Sequence, residues 1–242
     1  MIEQLKYCLM KFRLARWVAN LKNGTLSLLR EGYRPRQFWD HWAEKFARQS
    51  YQRELHESNW WLLEQLREAR ATEVLEVGCG FGRNLKLLDE KLDGVQVLAG
   101  VDLSLELLRK ARLEELSGQV LLSCGDATAL PYHDEAFDCV VTHGMLMHVP
   151  PDAVRRGIDE LVRVTRRTLW CIEEHVTAES ARGKSFSIND YTFNHDYPEL
   201  FREAGFPITR AERHGKVITL MLFRVDVGAI RHVEKTNQST AD

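Results

Sequence analysis

After about residue 70, the hydrophobic and polar positions of the chain alternate between two patterns. Short apolar runs, typical of buried strands, are followed by stretches in which apolar residues recur every three or four positions, as in amphipathic helices. The pattern predicts strands at 72–77, 95–102, 119–124, 137–143 and 168–174, and helices near 83–92, 104–116 and 151–166. Strands that alternate with helices predict a parallel sheet that is covered by helices on both faces.

The pattern changes toward the end of the chain. A helix is predicted near 197–204, and two β-rich runs between 206 and 225 are separated by a turn at His214-Gly215. Two adjacent strands joined by a short turn predict an antiparallel hairpin. The fold class is therefore α/β, with a doubly wound, mostly parallel sheet that ends in an antiparallel C-terminal hairpin.

Two helical segments precede this region. Residues 2–21 predict a basic amphipathic helix, which the pair Asn23-Gly24 would end. The stretch 37–70 is helical and rich in aromatic residues, and it is either a cap packed on the main domain or a wall of a substrate pocket. The predicted division is a basic N-terminal segment at 1–36, a helical cap at 37–70, the main domain at 71–228 and a polar C-terminal tail at 229–242.

The charge balance separates the first segment from the rest. The chain has 33 Lys and Arg against 35 Asp and Glu, yet residues 1–36 contain eight basic and only two acidic residues. Because the main body is mildly acidic, we expect no general nucleic-acid binding. The basic helix has three alternative roles, namely peripheral contact with an anionic membrane surface, a lid over a ligand, or a contact in a homodimer.

The cysteines and the absence of long apolar runs indicate where the protein works. The five cysteines are scattered and never form a CxxC pair, which argues against a disulfide framework and against a zinc site. No run reaches the roughly 20 apolar residues that span a bilayer. We therefore expect a cytoplasmic protein without a metal, with any membrane association at the inner face.

A glycine-rich loop follows the first predicted strand. Gly78, Gly80 and Gly82 stand at alternate positions between an apolar strand and a helix, where glycine lets the backbone approach a ligand closely. Asp102 follows 20 residues after Gly82, at the end of the second strand, where a carboxylate can accept hydrogen bonds from both ribose hydroxyls. The alternative for Asp102 is an N-cap of the next helix.

Two positions distinguish between nucleotide ligands. A dinucleotide-binding GxGxxG motif would need a glycine at position 83, which is Arg83. The carboxylate of Glu76 lies on the strand itself, two residues before the first glycine, and needs hydrogen-bond partners if it is buried. Loop amides or an ammonium group of a ligand could supply them, which favours a ligand other than a dinucleotide.

The chain resembles the class I S-adenosylmethionine-dependent methyltransferases over about residues 70–225. The resemblance rests on four motifs in the expected order, VLEVGCGFG, GVDLS, CGDATALP and FDCVVTHGMLMHVPP. It implies a seven-stranded Rossmann-like sheet, S-adenosylmethionine as cofactor and S-adenosylhomocysteine as product. Carried over by position, the cofactor-binding residues would be Glu76, Gly78, Cys79, Gly80, Asp102, Leu103, Asp126, Ala127 and Thr142.

Histidines cluster where a general base would be needed. His143 and His148 flank the end of the fourth strand, close to the expected position of the methyl group. An alcohol acceptor requires a base, and a histidine near its ordinary pKa can accept a proton at neutral pH. The alternatives are a hydrogen-bonded histidine at a strand end for His143 and packing of the loop for His148.

A second polar group follows the fifth strand. Glu174, His175 and His195 are candidates for binding a hydroxyl-rich substrate such as a sugar, and the alternative is that Glu173 and Glu174 form a solvent-exposed pair. The motifs THGMLMHVPPD and FNHDY resemble small-molecule and glycan O-methyltransferases. This resemblance implies methyl transfer to a hydroxyl of a small-molecule or glycan-like acceptor. The alternatives are an N-methyltransferase and a non-catalytic binding protein with the same fold.

Overall fold

A computed structural model describes residues 33–112, 116–117, 119–175, 186–189, 191–214 and 219–239. The predicted amphipathic helix at 2–21 lies outside these residues, and its three alternative roles stay predictions.

A seven-stranded sheet forms the centre of the molecule. The nine described strands are β1 (Glu73–Val77), β2 (Val97–Asp102), β3 (Val120–Cys124), β4 (Phe137–His143), β5 (Thr165–His175), β6 (Phe186–Asn189), β7 (Thr192–Asn194), β8 (Arg210–His214) and β9 (Thr219–Val225). The order in the main sheet is β3-β2-β1-β4-β5-β9-β8, and β6 pairs with β7 in a separate two-stranded sheet. Strands β1 to β5 pair in parallel, and β9 pairs antiparallel with β5 and β8. The predicted fold class and its C-terminal hairpin are confirmed.

Helices cover both faces of this sheet. They are α1 (Pro35–Arg48), α2 (Ser50–Arg53), α3 (Glu57–Glu68), α4 (Arg83–Lys91), α5 (Leu105–Ala111), α6 (Val154–Val164), α7 (Tyr197–Glu203) and α8 (Val227–Ser239). One buried cluster joins α6 and α7 to the sheet, and a second joins α3 and α4 to its other face. Because the parallel strands are buried on both faces, they read in the sequence as nearly continuous apolar runs.

The segment predicted to be a helical cap contains the three helices α1, α2 and α3. In α1, the side chains of Phe38, Ala43 and Ala47 are buried. The carboxylate of Asp40 accepts a hydrogen bond from the hydroxyl of Ser104 (2.7 Å), which fastens α1 to the start of α5. The cap is thus attached to the loop that follows β2.

The C-terminal segment expected to be a polar tail is helical as far as Ser239. Val227 is fully buried, and Arg231 donates hydrogen bonds to the carbonyl oxygens of Val162 (2.8 Å) and Thr165 (2.7 Å) at the end of α6. A cation at a helix C-terminus satisfies carbonyl groups that have no partner within the helix. Helix α8 is therefore held by a contact between distant residues, which the polar composition of this segment does not reveal.

A buried carboxylate joins the beginnings of β1 and β4. Asp138 is 2% exposed and accepts hydrogen bonds from the N–H groups of Thr72 and Glu73 (both 3.0 Å) and from the Thr72 hydroxyl (3.1 Å). Two backbone donors depend on this side chain. The contact therefore sets where the chain enters the sheet.

We expect Asp138→Ala to lower the free energy of unfolding by about 2–4 kcal/mol, since it leaves backbone donors without a partner in a partly buried environment. Urea unfolding followed by circular dichroism measures this change. The matched control is Glu64→Ala, which removes an exposed ion pair with Arg67 and should cost less than about 1 kcal/mol. Equal effects of the two substitutions would contradict the role of Asp138.

Candidate functional site

A cavity of about 340 Å³ opens at the carboxyl ends of the parallel strands. It lies where the strand order reverses between β1 and β4, the position at which open α/β sheets bind ligands. Its walls come from the loops after β1, β2, β3 and β4, from α1, and from the start of α6. Of the residues predicted from the sequence, those that line it are Gly78, Gly80, Asp102, Leu103, Asp126, Ala127, His143 and His148.

The glycine loop has a conformation that other residues rarely adopt. Gly78 has φ of +78°, and a Cβ atom there would lie 2.3 Å from Cγ of Met145. Gly80 has φ of +56° and lines the cavity, and its Cβ would meet no protein atom within 4 Å. The first glycine therefore lets the loop after β4 approach, whereas the second leaves space for a ligand.

Asp102 connects the glycine loop to the end of β2. Its Oδ2 accepts a hydrogen bond from the N–H of Gly80 and its Oδ1 accepts one from the N–H of Ser104, both at 2.8 Å. Burial raises its pKa to about 6, against the effect of these donors. Ser104 rather than Asp102 is the N-cap of α5, since its hydroxyl oxygen accepts from the N–H of Leu107 (3.2 Å). Each carboxylate oxygen of Asp102 retains a lone pair for a ligand hydroxyl.

Glu76 is a buried carboxylate with one oxygen unused. Its side chain is 2% exposed, and Oε1 accepts a hydrogen bond from Nδ2 of Asn84 (2.6 Å). Oε2 has no partner among the described residues. Burial raises the pKa of Glu76 to about 8, although Asn84 and Arg83 oppose this change. Glu76 does not line the cavity, but its unused oxygen suits a cationic donor such as an ammonium group.

The geometry of His143 does not favour a role as general base. Nδ1 lies 3.2 Å from Nδ2 of Asn84, which is a donor, so the lone pair of the ring is already engaged. Nε2 faces the hydroxyl of Ser58 at 3.4 Å. Burial, together with the positive charge of Arg83, lowers the pKa of His143 to about 3. His143 is neutral at physiological pH, and its lone pair points at a protein donor.

His148 is held in the opposite tautomer. Its Nδ1 lies 2.7 Å from the carbonyl oxygen of Tyr191, which can only accept, so Nδ1 carries the proton and Nε2 the lone pair. The ring of Trp39 packs edge-on against the imidazole, with centroids 4.7 Å apart. The Tyr33 hydroxyl donates to the carbonyl oxygen of His148 (3.1 Å). The ring lines the cavity in a fixed orientation and has a basic nitrogen.

Glu173 holds the loop after β4, which contains His148, through hydrogen bonds to its backbone. It is fully buried, and its carboxylate accepts hydrogen bonds from the N–H groups of Met145, Leu146 and Met147 at 3.1–3.2 Å. Burial raises its pKa to about 7 against the effect of these donors. The interpretation of Glu173 as half of a solvent-exposed pair is therefore wrong, because the carboxylate caps the 3-10 turn Leu146–His148.

Several predicted site residues lie behind the cavity wall. Cys79 is buried, with Sγ near Gly100, and the fully buried hydroxyl of Thr142 lies beside Glu173. His195 is fully buried and donates through Nε2 to the carbonyl oxygen of Val149 (3.0 Å), and burial lowers its pKa to about 4.

Two predicted substrate residues lie on β5. Glu174 is partly exposed on this strand and does not line the cavity. His175 ends β5, and its side chain lies outside the described part of the chain. Neither Glu174 nor His195 lines the cavity, and their role in substrate binding stays a prediction.

Helix α1 contributes residues to the cavity. Trp39 and Phe46 of this helix line the cavity together with Tyr33, which precedes it, while Phe38 is buried and stacks on Tyr191 (4.4 Å between centroids). Different faces of α1 therefore pack on the domain and line the cavity. The helical spacing of aromatic residues identified the helix but not which ring faces the cavity.

Among the described residues, no group of three or more His, Cys, Asp or Glu side chains has an arrangement that could hold a metal ion. None of their helices combines the length and the apolar character that crossing a bilayer requires.

Comparisons with known proteins agree with this geometry. Residues 74–168 match the family model described as "Methyltransferase domain". The chain is 30% identical to methyltransferase GfsG of Streptomyces halstedii over 165 residues, which are 61% of this chain and 57% of that protein. It is 38% identical to demethylmenaquinone methyltransferase of Roseiflexus castenholzii over 104 residues, 41% of this chain and 42% of that protein. The chain thus spans about half the length of these curated relatives.

A solved structure has the same fold. The magnesium protoporphyrin IX methyltransferase of Synechocystis PCC 6803, crystallised with S-adenosylhomocysteine, superposes with a TM-score of 0.62 at 16% identity, over 79% of this chain and 97% of that one. Residues 74–168 are therefore similar to methyltransferase domains, and the described part of the chain has the fold of the solved methyltransferase.

Proposed function

We propose that the protein transfers the methyl group of S-adenosylmethionine to a hydroxyl oxygen of a small-molecule acceptor, most favourably an aromatic one. The observation that carries this proposal is one cavity that joins the glycine loop and Asp102 to the ring of His148. The residues proposed to bind the nucleoside and the proposed base therefore line the same cavity.

The residues around the glycine loop fit the cofactor. Asp102 would bind the ribose hydroxyls. The adenine would lie against Leu103, Asp126 and Ala127, and the methionine end would lie against Gly78 and Gly80. The unused oxygen of Glu76 would pair with the ammonium group. Cys79 would shape the loop from behind, and Thr142 would support the sulfonium side of the site. The fit rests on the buried acceptor of Glu76 and on the open space at Gly80.

His148 is the proposed general base, in preference to His143. When bound, the cofactor supplies a methyl group on a sulfonium, which passes to the acceptor oxygen as the carbon–sulfur bond breaks and S-adenosylhomocysteine leaves. The protein must align the acceptor with the methyl group and remove the proton of the hydroxyl. In His148 the proton is on Nδ1 and the lone pair on Nε2, and the ring lines the cavity, whereas the Nδ1 lone pair of His143 faces the donor Asn84.

The rings around His148 favour an aromatic acceptor over a sugar. Tyr33 and Trp39 form the wall beside the imidazole, and the polar residues Glu174 and His195, proposed from the sequence to bind hydroxyl groups, do not line the cavity. A flat ring packs well against aromatic side chains.

The first test is cofactor binding by isothermal titration calorimetry with S-adenosylhomocysteine. We expect the Kd to rise roughly 100-fold in Asp102→Ala, since hydrogen bonds to a charged acceptor each contribute about 1.5–3 kcal/mol. Asp93→Ala, at an exposed position after α4, is the control and should bind as the wild type does. A thermal melt shows that each variant is folded. A wild-type protein that binds no ligand at millimolar concentration would overturn the proposed function.

The second test is the pH dependence of the same binding. With a pKa of about 8, Glu76 in the free protein is mostly protonated at neutral pH, whereas Asp102, with a pKa of about 6, is protonated only at about pH 6 and below. Hydroxyl and ammonium donors favour the ionised forms, so binding should release protons, and affinity should rise by roughly 20- to 50-fold from about pH 6 to about pH 7.5, mostly through Glu76. In Glu76→Gln the change in affinity between these two pH values should be much smaller. An affinity that falls over this range would contradict the assignment of Glu76.

The third test is turnover, measured as S-adenosylhomocysteine released with a panel of phenols, hydroquinones, sugars and amines. With the best acceptor, we expect His148→Ala to lower kcat by about 10²- to 10⁴-fold and His143→Ala by less than about tenfold. A preference for amines would favour the N-methyltransferase alternative. Cofactor binding without turnover of any acceptor would favour the non-catalytic alternative. Unchanged turnover in His148→Ala would refute the proposed base.

A further inference from the structure

A chain of buried amide side chains runs from the cap to the cofactor loop. Nδ2 of Asn59, on α3, lies 2.6 Å from Oδ1 of Asn84, on α4. Nδ2 of Asn84 in turn contacts Oε1 of Glu76 at 2.6 Å and Nδ1 of His143 at 3.2 Å. Asn59 is fully buried and Asn84 is 4% exposed. None of the sequence motifs includes Asn59.

One backbone group sets the direction of every bond in this chain. The N–H of His56, which can only donate, lies 2.6 Å from Oδ1 of Asn59, so that oxygen must accept. The other end of the Asn59 amide is then a donor, and it requires Oδ1 of Asn84 to accept. Nδ2 of Asn84 must therefore donate, and its two hydrogens serve Glu76 and His143.

This direction determines the state of both groups at the end of the chain. Because Asn84 donates to Nδ1 of His143, the neutral ring must carry its proton on Nε2, where it faces the hydroxyl of Ser58. Because Asn84 also donates to Oε1 of Glu76, that oxygen accepts whether Glu76 is ionised or protonated, and Oε2 has no partner among the described residues. The reverse orientation of the Asn84 amide would present an oxygen to both groups, so that His143 would carry its proton on Nδ1 and a protonated Glu76 would donate.

We infer that Asn59 is a positioning residue that, through Asn84, sets the tautomer of His143 and holds Glu76 ready to accept from the ligand. Asn59 also completes a capping box at the start of α3, because its Oδ1 accepts from the N–H of His56. Capping needs only this oxygen and does not account for the buried Nδ2, which donates to Asn84. The part of this inference that concerns Glu76 rests on the proposed function, whereas the tautomer of His143 does not.

The test begins with the wild-type protein labelled with 15N-histidine. Two-bond 1H–15N spectra distinguish the two neutral tautomers of an imidazole, and the signal of His143 is identified from its loss in His143→Gln. We expect the Nε2–H form for His143. A wild-type ring with its proton on Nδ1 would overturn the inference without any further variant.

The decisive variant is Asn59→Leu, which is close in size to Asn and cannot donate. Without the Asn59 donor, a protonated Glu76 can donate to a reversed Asn84 amide, so the amide can take either orientation. We therefore expect a mixture of tautomers at His143 and about a tenfold rise in the Kd for S-adenosylhomocysteine. The matched control is Gln65→Leu, the same kind of change on the same helix, at a residue that is 5% exposed and whose Oε1 has no partner in the described structure. It should leave the tautomer unchanged and the Kd within about twofold.

The outcomes separate this inference from the proposed function. A folded Asn59→Leu protein that keeps both the Nε2–H form and the wild-type Kd would show that Asn59 has only a packing role. If the leucine variant does not fold, Asn59→Ala, which also removes the donor, is judged by the same two readouts. A wild-type protein without affinity for S-adenosylhomocysteine would overturn the proposed function, and the tautomer spectra would still decide the role of Asn59.

Discussion

The cavity depends on buried carboxylates that accept hydrogen bonds from backbone N–H groups at the carboxyl edge of the sheet. Asp102 receives the N–H groups of Gly80 and Ser104, and so joins the loops after β1 and β2. Glu173 receives three consecutive N–H groups and so shapes the turn that ends at His148. A buried carboxylate is costly unless its oxygens are satisfied, and a loop amide without a partner is costly as well. The buried carboxylates and the loop N–H groups satisfy each other, and these hydrogen bonds hold the loops at the edge of the cavity.

The same principle connects the cap to the sheet. Asp40 on α1 accepts from Ser104, two residues after Asp102, and Asn59 on α3 donates to Asn84, which donates to Glu76. Aromatic rings of α1 then close the cavity over His148. The helices that precede the glycine loop are therefore part of the site, even though the motif-based resemblance begins only at about residue 70. Changes in the cap should affect the ligand through these two polar contacts.

Much of the fold could be predicted, because the period of the hydrophobic pattern reports directly on strands and helices. The run 137–143 coincides with β4, and the hairpin near 206–225 forms the antiparallel edge. The C-terminal helix was missed because its attachment depends on Arg231 and on carbonyl groups more than sixty residues away. A local pattern carries no information on such contacts.

The sequence by itself determined the order of the elements, the glycine loop with its acid, and the two histidines beside the fourth strand, since all of these depend on local spacing. Only the tertiary structure decided what each group can do. His143 and His148 are both flanked by short apolar stretches, yet one faces an amide donor and the other a carbonyl acceptor, so their lone pairs lie on different nitrogens. Glu173 and Glu174 are neighbours, and only the first caps a turn. The protonation and hydrogen bonding of a polar group are set by the partners that folding brings to it, and these come from distant parts of the chain.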